Sequence, residues 1–253
     1  MLKDLFTPCL ILDRGKLDDN IRKIKSIVSK QKIDFRPHLK TAKCLEITKI
    51  LVKEFGLRAM VSTIEELEQL KSSGINDFLY SVAIAPNKLS RIAKNLANDC
   101  KITVSVDNIS TAQELVAFYK NTGHRITAVI ELDLDGHRSG VRPYANEQLI
   151  KISECLDEFD LFRGVMSHAG ESYALSNEED INNCAKYEAD QTLMAAETIE
   201  KAGINCELIT VGSTPTALSG CKNIGITELR AGVFIFFDLV QSGVGVCELN
   251  EIA

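Results

Sequence analysis

Residues 35–44 read FRPHLKTAKC and place cationic or titratable side chains at every second position, at Arg36, His38 and Lys40. If 34–40 is a β-strand, these three side chains point to one face, because successive side chains alternate. On an exposed strand such a face is simply solvated. In a parallel sheet that is buried on both sides it is costly, and it needs an anion or a cofactor beside it.

A second stretch, VGSTPT at residues 211–216, has the composition of a turn that binds phosphate. Gly212 permits a tight turn, and Ser213 and Thr214 add hydroxyl donors. Pro215 suits the first turn of a helix, whose N-terminus favours an anion. An ordinary strand-to-helix turn with a capping residue has the same pattern. We refer to residues 211–216 as the phosphate cup.

Two further stretches concentrate polar groups. Residues 131–141, ELDLDGHRSGV, combine acids with an imidazole and a guanidinium, and the guanidinium of Arg138 is able to donate to a phenolate or a carboxylate. Residues 167–173, SHAGESY, contain His168 and Tyr173, which can flank a planar ligand or act as acid and base. The alternatives are a solvated loop for the first stretch, and a satisfied core histidine with a packing tyrosine for the second.

The elements that position these stretches alternate between strand and helix. A short apolar strand at 7–13 precedes a helix at 17–29. Eight strands are then predicted at 34–38, 58–61, 77–82, 101–106, 125–134, 161–167, 206–211 and 226–230. Helices are predicted between them at 44–54, 64–73, 87–97, 110–119, 146–156 and 178–202, with a short one after Pro215. Asp107 or Ser110 is the expected N-cap of the helix at 110–119.

This alternation, at this length, favours a parallel (β/α)8 TIM barrel over a doubly wound sheet. A doubly wound dinucleotide-binding sheet carries GxGxxG after its first strand, and this sequence has none there. The active site of a barrel lies at the C-terminal ends of its strands. Lys40, expected to end the first strand, and the phosphate cup, after the seventh, are therefore predicted to face one mouth.

Composition excludes several classes of protein. The chain has 253 residues, 45% of them hydrophobic, and a net charge of -6, which argues against binding nucleic acid. It shows neither a signal peptide nor a membrane-spanning stretch, so we expect a cytoplasmic protein with no membrane partner. The eight dispersed cysteines show no CxxC pair, and the four histidines show no metal-binding spacing, so the sequence predicts no metal site within this chain.

A lysine, a phosphate cup and a setting for a flat ligand at one mouth suggest two chemistries. One is a Schiff-base aldolase that acts on a sugar phosphate. The other is pyridoxal phosphate chemistry, in which Lys40 forms the Schiff base and the cup holds the cofactor phosphate. Spacing alone does not decide between them.

Five motifs, in order along the chain, resemble the D-serine dehydratase and D-threonine aldolase family: TPCLILD, RPHLKTAK, HAGESY, GSTPT and ELRAGVFIFFD. These are fold-type III pyridoxal-phosphate enzymes, whose barrel is that of the alanine racemase N-terminal domain. The resemblance implies a lyase that acts on D-3-hydroxy amino acids by aldolase or dehydratase chemistry. An amino-acid racemase and a non-catalytic barrel that binds pyridoxal phosphate are the alternatives.

The resemblance also implies roles for individual residues. Lys40 is the Schiff-base lysine, with Lys43 the second candidate, and Arg138 approaches the phenolate oxygen of the cofactor. His168 and Tyr173 line the pocket as candidate catalytic residues. The cofactor phosphate is expected to contact three residues of the cup, Gly212, Ser213 and Thr214. Asp238 follows the final barrel motif without an assigned role.

The domain organisation follows from the same resemblance. We expect 1–13 to be a strand that joins a C-terminal β-domain, 14–240 to be the barrel, and 241–253 to be the start of that β-domain, the rest of which these residues do not include. In the family the β-domain supplies zinc ligands and closes the active site of the partner subunit, so a homodimer is expected for the full-length form. The family often has glycine at the position of Asp135 and tyrosine at that of Phe234, so ring or phosphate contacts are not assigned to these two.

Overall fold

A computed structural model describes residues 2–96 and 99–253 of the chain. Its strands are β1 (Asp34–Pro37), β2 (Arg58–Val61), β3 (Asp77–Ala83), β4 (Lys101–Val106), β5 (Thr127–Glu131), β6 (Phe162–Met166), β7 (Leu208–Val211) and β8 (Glu228–Ala231). Its α-helices are α1 (Arg14–Gln31), α2 (Leu45–Phe55), α3 (Ile64–Lys71), α4 (Leu89–Ala93), α5 (Ile109–Thr122), α6 (Asn146–Asp157), α7 (Glu178–Lys201), α8 (Thr214–Leu218) and α9 (Leu239–Gly243).

The eight strands form one parallel sheet that curls into a barrel. Neighbouring strands follow chain order from β2 to β8, and β8 pairs with β1 in register from Asp34 opposite Glu228 to Pro37 opposite Ala231. Between β1 and β2 the pairing consists of a single bridge, His38 to Met60, with the Leu39 N–H donating to the Met60 carbonyl at 3.0 Å. The predicted (β/α)8 barrel is therefore confirmed, with a narrow seam between β1 and β2.

Apolar packing explains why these segments adopt this arrangement. Strand residues that point outward meet the apolar faces of the helices, as where the Phe35 ring lies 4.8 Å from Phe55 and 5.3 Å from Phe234. Inward-pointing residues form a small separate apolar layer inside the barrel, made of Met60, Leu79, Val129 and Met166. Phe234 is fully buried between the strands and the helices, outside the barrel interior.

Side-chain caps set the starts of several helices. The predicted N-cap of α5 was wrong, because Asn108, which lies between the two predicted residues Asp107 and Ser110, occupies the cap position. Asn108 has extended backbone geometry, and its side-chain oxygen accepts the Thr111 N–H at 2.8 Å. Satisfying a free N–H in the first turn of a helix is what favours asparagine at this position.

Two predicted elements differ in the structure. Residues 7–13 form no strand, and Leu10 and Ile11 are exposed. No strand of the described part of the chain pairs with this segment. The helix predicted at 87–97 is instead a 3-10 turn, Pro86–Lys88, followed by the short α4, and Ala97 lies outside the described residues. The expected role of 1–13 in a second domain stays a prediction, and Met1 also lies outside the described residues.

The segment after the barrel packs against α1. The Lys16 ammonium donates to the Ile252 carbonyl at 2.9 Å, and the Asn20 amide donates to the Glu251 carbonyl at 3.1 Å. Residues 241–253 contain the end of α9 and a 3-10 turn, Leu249–Glu251. Their assignment to a β-domain stays a prediction. Within the described residues, no helix combines the length and apolar character needed to cross a membrane.

Candidate active site

A pocket opens at the C-terminal ends of the strands, with about 570 Å³ of empty space that continues into solvent. The structure brings all seven predicted site residues to its walls: Lys40, Arg138, His168, Tyr173, Gly212, Ser213 and Thr214. Their roles toward a ligand stay predictions.

Lys40 reaches the pocket from a turn rather than from a strand. We predicted that it ends β1, but the strand stops at Pro37 and residues 39–42 are turns. Burial lowers the pKa of Lys40, and the positive charges of Arg138 and then Arg230 lower it further, against an opposing contribution from Glu66. A lowered pKa increases the fraction of the neutral amine, which is the nucleophilic form.

The row of three cationic groups separates into three different environments. Arg36 lies at the opposite end of the barrel, where it donates to the carboxylates of Glu228 and Asp77 at 2.9 Å each. Burial, followed by the charge of Lys40, lowers the pKa of His38 well below its usual value, so that its ring is neutral. Of the row, only Lys40 supplies a titrating cation to the mouth.

Lys43 faces a different part of the surface. It has a left-handed backbone, with φ of 44°, and it lines a separate cleft between α2 and α3 together with Leu39 and Glu66. It does not belong to the lining of the barrel pocket. The geometry therefore favours Lys40 over Lys43 as the lysine that meets a ligand in the barrel.

His168 is held by a backbone carbonyl. Its Nδ1 lies 2.8 Å from the Gly212 oxygen, and because a carbonyl only accepts, Nδ1 carries the proton. Burial lowers the pKa of His168 to about 4. At neutral pH the ring is therefore uncharged. Its centroid lies 6.2 Å from that of Tyr173, with 35° between the planes, so the two rings form one aromatic wall.

Tyr173 connects this wall to the phosphate cup. Its hydroxyl accepts the Thr214 N–H at 3.3 Å, and burial raises its pKa. A tyrosine with a raised pKa stays protonated at neutral pH, so this hydroxyl is also a donor to any anion in the cup. The structure therefore favours anion binding by Tyr173 over service as a base.

The phosphate cup departs in detail from the sequence interpretation. Helix α8 has only five residues, so its dipole contributes little. Ser213 caps this helix through a capping box with Thr216, and its own N–H donates to the Thr216 hydroxyl at 3.0 Å. The Gly212 N–H also donates inward, at 2.9 Å, to a carboxylate. The cup is therefore a hydrogen-bonded scaffold, and few of its own backbone donors remain for a ligand.

Arg138 stands at the rim. It is exposed and lies against Gly170, where an added Cβ would come within 3.2 Å of its Nη1. In the predicted loop 131–141, Asp135 accepts the His137 N–H at 2.9 Å and has no place in the pocket lining. This loop is thus partly solvated, as the alternative interpretation expected, while Glu131 and Arg138 line the pocket.

Two pocket residues had no assigned role in the sequence interpretation. Arg230 is 3% exposed, and its Nε donates to the Thr210 hydroxyl at 2.8 Å while Nη2 donates to the Ser167 carbonyl. Glu131 is 8% exposed, and its Oε2 has no hydrogen-bond partner among the described residues. Both side chains point into the barrel. Glu131 begins the acidic stretch 131–141 noted in the sequence, whereas for Arg230 the inward position on β8 was the only available signal.

Burial raises the pKa of Glu131 to about 7. The nearby positive charges of Arg138 and Arg230 oppose this shift, while Asp107 adds to it. A carboxyl group with this pKa is partly protonated near neutral pH, so it can donate as well as accept.

These residues fit pyridoxal phosphate. The site offers an amine of lowered pKa, a neutral aromatic wall, hydroxyl donors at the cup and an unpartnered carboxyl oxygen. Gly232 lets β8 approach the turn that carries Lys40, because a Cβ there would lie 3.0 Å from the Thr41 hydroxyl. Among residues 2–96 and 99–253, no group of three or more histidine, cysteine, aspartate and glutamate side chains could hold a metal ion.

The fold and pocket define a (β/α)8 barrel with a lysine at its mouth, and residues 12–240 match the family model described as alanine racemase, N-terminal domain. The chain belongs to this family. The expected barrel type is thereby confirmed, and with it the family's fold-type III cofactor, pyridoxal phosphate.

Particular relatives are similar along most of the chain. D-threo-3-hydroxyaspartate dehydratase of Delftia sp. (strain HT23) is 36% identical over 253 residues, which are 100% of this chain and 67% of the relative. Its solved structure has a TM-score of 0.96 over 100% of this chain and 67% of that one. D-serine dehydratase of Dictyostelium discoideum is 28% identical, covering 99% of this chain and 68% of the relative.

A third relative, D-threonine aldolase of Arthrobacter sp, is 26% identical, covering 92% of this chain and 61% of the relative. The chain thus spans about two thirds of the length of the relatives it matches. A solved structure of a variant of D-threo-3-hydroxyaspartate dehydratase is described as being in the metal-free form. The recognition of the D-serine dehydratase and D-threonine aldolase group from its motifs is confirmed.

Proposed function

We propose that this chain is the cofactor-binding barrel of a pyridoxal-phosphate-dependent lyase that acts on D-3-hydroxy amino acids through a Schiff base on Lys40. The observation that carries the proposal is the arrangement of the pocket, in which the Lys40 amine and the phosphate cup face one space. The relatives support the substrate class, because two are named as dehydratases and one as an aldolase of D-hydroxy amino acids.

Lys40 has two roles in this proposal. Its Nζ would hold the cofactor, and the free Nζ would take the proton from the substrate Cα or return it there. The lowered pKa of Lys40 suits it to act as a base near neutral pH. Bound pyridoxal phosphate supplies an electron sink for the carbanion that such a reaction generates.

The other pocket residues orient the reactants. Arg138 would donate to the phenolate oxygen of the cofactor, and the neutral ring of His168 would pack against the cofactor. Tyr173 would donate a hydrogen bond from its hydroxyl to the phosphate. Three cup residues would also lie against the phosphate: Gly212, Ser213 and Thr214. Orientation of this kind contributes to rate because the reacting groups are held in place before the reaction begins.

Three further features belong to the proposal rather than to the observed structure. Zinc is proposed as a second cofactor, bound by residues of a domain beyond this chain. A homodimer is proposed for the full-length enzyme, and the cytoplasm is its proposed location. Light scattering of the full-length protein measures its mass and so tests the homodimer. A monomeric mass would contradict this part of the proposal.

Borohydride reduction in the presence of pyridoxal phosphate, followed by peptide mapping, tests the central claim. We expect the label on Lys40. The Lys40→Ala variant should lose the label, and the Lys43→Ala variant should keep it, because Lys43 lies in another cleft. A label on Lys43, or no label on the unmodified chain, would refute the proposal.

The substrate class is tested separately with a longer form of the protein that includes the following domain. The assay offers D-threo-3-hydroxyaspartate, D-serine and D-threonine, with and without zinc, and monitors the oxo acid or aldehyde product. Racemised substrate without these products would identify a racemase instead. Cofactor binding with no turnover of any of the three would identify a non-catalytic barrel.

A further inference from the structure

A buried acid on the outer helix α7 is connected to the site although it does not line the pocket. Glu188 is 1% exposed and lies on the helix face that packs on β6 and β7, next to Ala185 and Ala189. An acidic side chain buried on such a face is costly unless donors surround it. The hydrogen bonds of the Glu188 carboxylate therefore indicate its structural role.

Both carboxylate oxygens of Glu188 are occupied. Oε1 accepts three hydrogen bonds, from the Ala169 N–H at 3.0 Å, the Gly212 N–H at 2.9 Å and the Ser167 hydroxyl at 3.3 Å. Oε2 accepts the hydroxyl of Thr216 at 2.8 Å. Two of the four donors are backbone amides. Glu188 therefore restrains the position of the main chain itself at these two residues.

These donors belong to two different loops of the site. Ser167 and Ala169 flank His168 in the loop after β6, and Gly212 belongs to the phosphate cup after β7. The Gly212 carbonyl in turn holds the His168 ring at 2.8 Å. One side chain thus fixes the distance between the aromatic wall and the cup, which a cofactor must span with its ring and its phosphate.

We propose that Glu188 is a positioning residue, which sets the spacing between the His168 loop and the phosphate cup so that both engage one cofactor. This inference rests on the proposed function, since it assigns the two loops to the ring and the phosphate of pyridoxal phosphate. Glu188 acts through backbone amides and touches no reacting atom. Arg230, whose Nη2 donates to the Ser167 carbonyl, is a buried cation whose charge interacts with that of Glu188.

A near-isosteric pair of variants tests the acceptor role. In Glu188→Gln the amide oxygen can keep the three bonds at the Oε1 position, while its NH2 group donates to the Thr216 hydroxyl, which can accept. In Glu188→Met the volume is kept but every acceptor is lost. We expect Glu188→Gln to bind pyridoxal phosphate within about threefold of the unmodified chain and Glu188→Met to bind it about tenfold more weakly.

Affinity is measured by titrating the chain with pyridoxal phosphate and following absorbance. The second measurement is the 31P NMR shift of the bound phosphate at saturation, which reports the cup directly. We expect this shift to change in Glu188→Met and to be retained in Glu188→Gln. Glu197→Ala is the matched control, because it removes an exposed acid from the same helix.

Wild-type affinity and an unchanged 31P shift in Glu188→Met would overturn the inference. If Glu188→Met does not fold, Glu188→Asp decides, because it keeps the charge but shortens the reach to the two loops. We expect Glu188→Asp to weaken binding about tenfold, and unchanged binding would again overturn the inference. Failure of the proposed function is distinct, because the unmodified chain would then bind no pyridoxal phosphate.

Discussion

The Arg36 guanidinium and the Glu228 carboxylate form a buried ion pair across β1 and β8, with Nε 2.9 Å and 3.1 Å from the two carboxylate oxygens. The pair lies at the end of the barrel opposite the pocket. Arg36 also reaches the Asp77 side chain at 2.9 Å. Because Asp77 is one-third exposed, Glu228 is the partner that balances the buried guanidinium.

Removing that partner should destabilise the barrel. Glu228→Ala leaves the guanidinium of Arg36 buried beside Asp77 alone, and we expect it to lower the free energy of unfolding by about 3 to 5 kcal/mol. Urea denaturation measures this. Asp34→Ala removes the exposed partner of Arg58, and we expect it to cost less than about 1 kcal/mol. Equal losses in the two variants would contradict this account.

The buried carboxyl of Glu131 should make stability depend on pH. Its pKa rises from an ordinary value near 4.5 in the unfolded chain to about 7 in the fold. The fold therefore favours the protonated form, and this contribution is complete below pH 4.5 and is lost as the pH rises through 7. We expect Glu131→Gln to be the more stable protein at pH 8.5, by up to about 3 kcal/mol.

Urea denaturation of the cofactor-free chain and Glu131→Gln at pH 5 and pH 8.5 tests this expectation. The difference in unfolding free energy between the two proteins should grow with pH. Titration of His38 and His168 is common to both proteins and cancels in that difference. A difference that does not vary between these two pH values would refute the assignment of the shift to Glu131.

Arg138 should control the reactivity of Lys40. Its positive charge contributes, after burial, to the lowered pKa of the Lys40 amine. Arg138→Met should therefore raise that pKa, so that less neutral amine is present at pH 8 and the amine reacts a few-fold more slowly. The rate of acetylation of Lys40 by acetic anhydride, followed by peptide mapping across pH, measures the effect without any cofactor.

Arg142→Met is the control for Arg138→Met, because Arg142 directly follows the 131–141 loop but contacts Asp133 instead. We expect it to leave the acetylation profile of Lys40 unchanged. If both variants move the profile equally, loop structure rather than the charge of Arg138 is responsible.

Gly212 should tolerate no side chain. Its φ is 142°, and an added Cβ would lie 2.0 Å from the Arg230 carbonyl oxygen. We expect Gly212→Ala to cost more than about 3 kcal/mol, since backbone strain and a main-chain clash add together. Gly56→Ala separates the two effects, because Gly56 has φ of 86° but open space around its Cβ. Thermal denaturation of both variants should show a clearly smaller loss for Gly56→Ala.

The barrel was predictable from the alternation of strands and helices along the sequence. The location of its site was predictable because Lys40 and the phosphate cup each follow a strand in the sequence. The position of Lys40 within a turn was not, since the extended backbone of β1 ends where pairing with β8 stops, a tertiary property. The N-cap of α5 at Asn108 was missed for a similar reason, because the start of the helix depends on where β4 ends.

The role of Glu188 was also hidden from the sequence. Within α7, which carries many acids on its solvent face, one more glutamate has no distinguishing signal. Its partners are 19 to 28 residues away along the chain, so only the folded structure brings them within hydrogen-bond distance. The failure of 7–13 to form a strand has the same origin, because a strand depends on its neighbour as much as on its own residues.

The single bridge between His38 and Met60 means that the barrel is held less tightly at this edge than at any of its ladders of paired strands. Local opening costs least where the fewest backbone hydrogen bonds must break. The turn that carries Lys40 begins at this bridge. Amide hydrogen exchange at Leu39 therefore reports how often the turn that carries Lys40 opens locally. A ligand that contacts both Lys40 and the phosphate cup should slow that exchange.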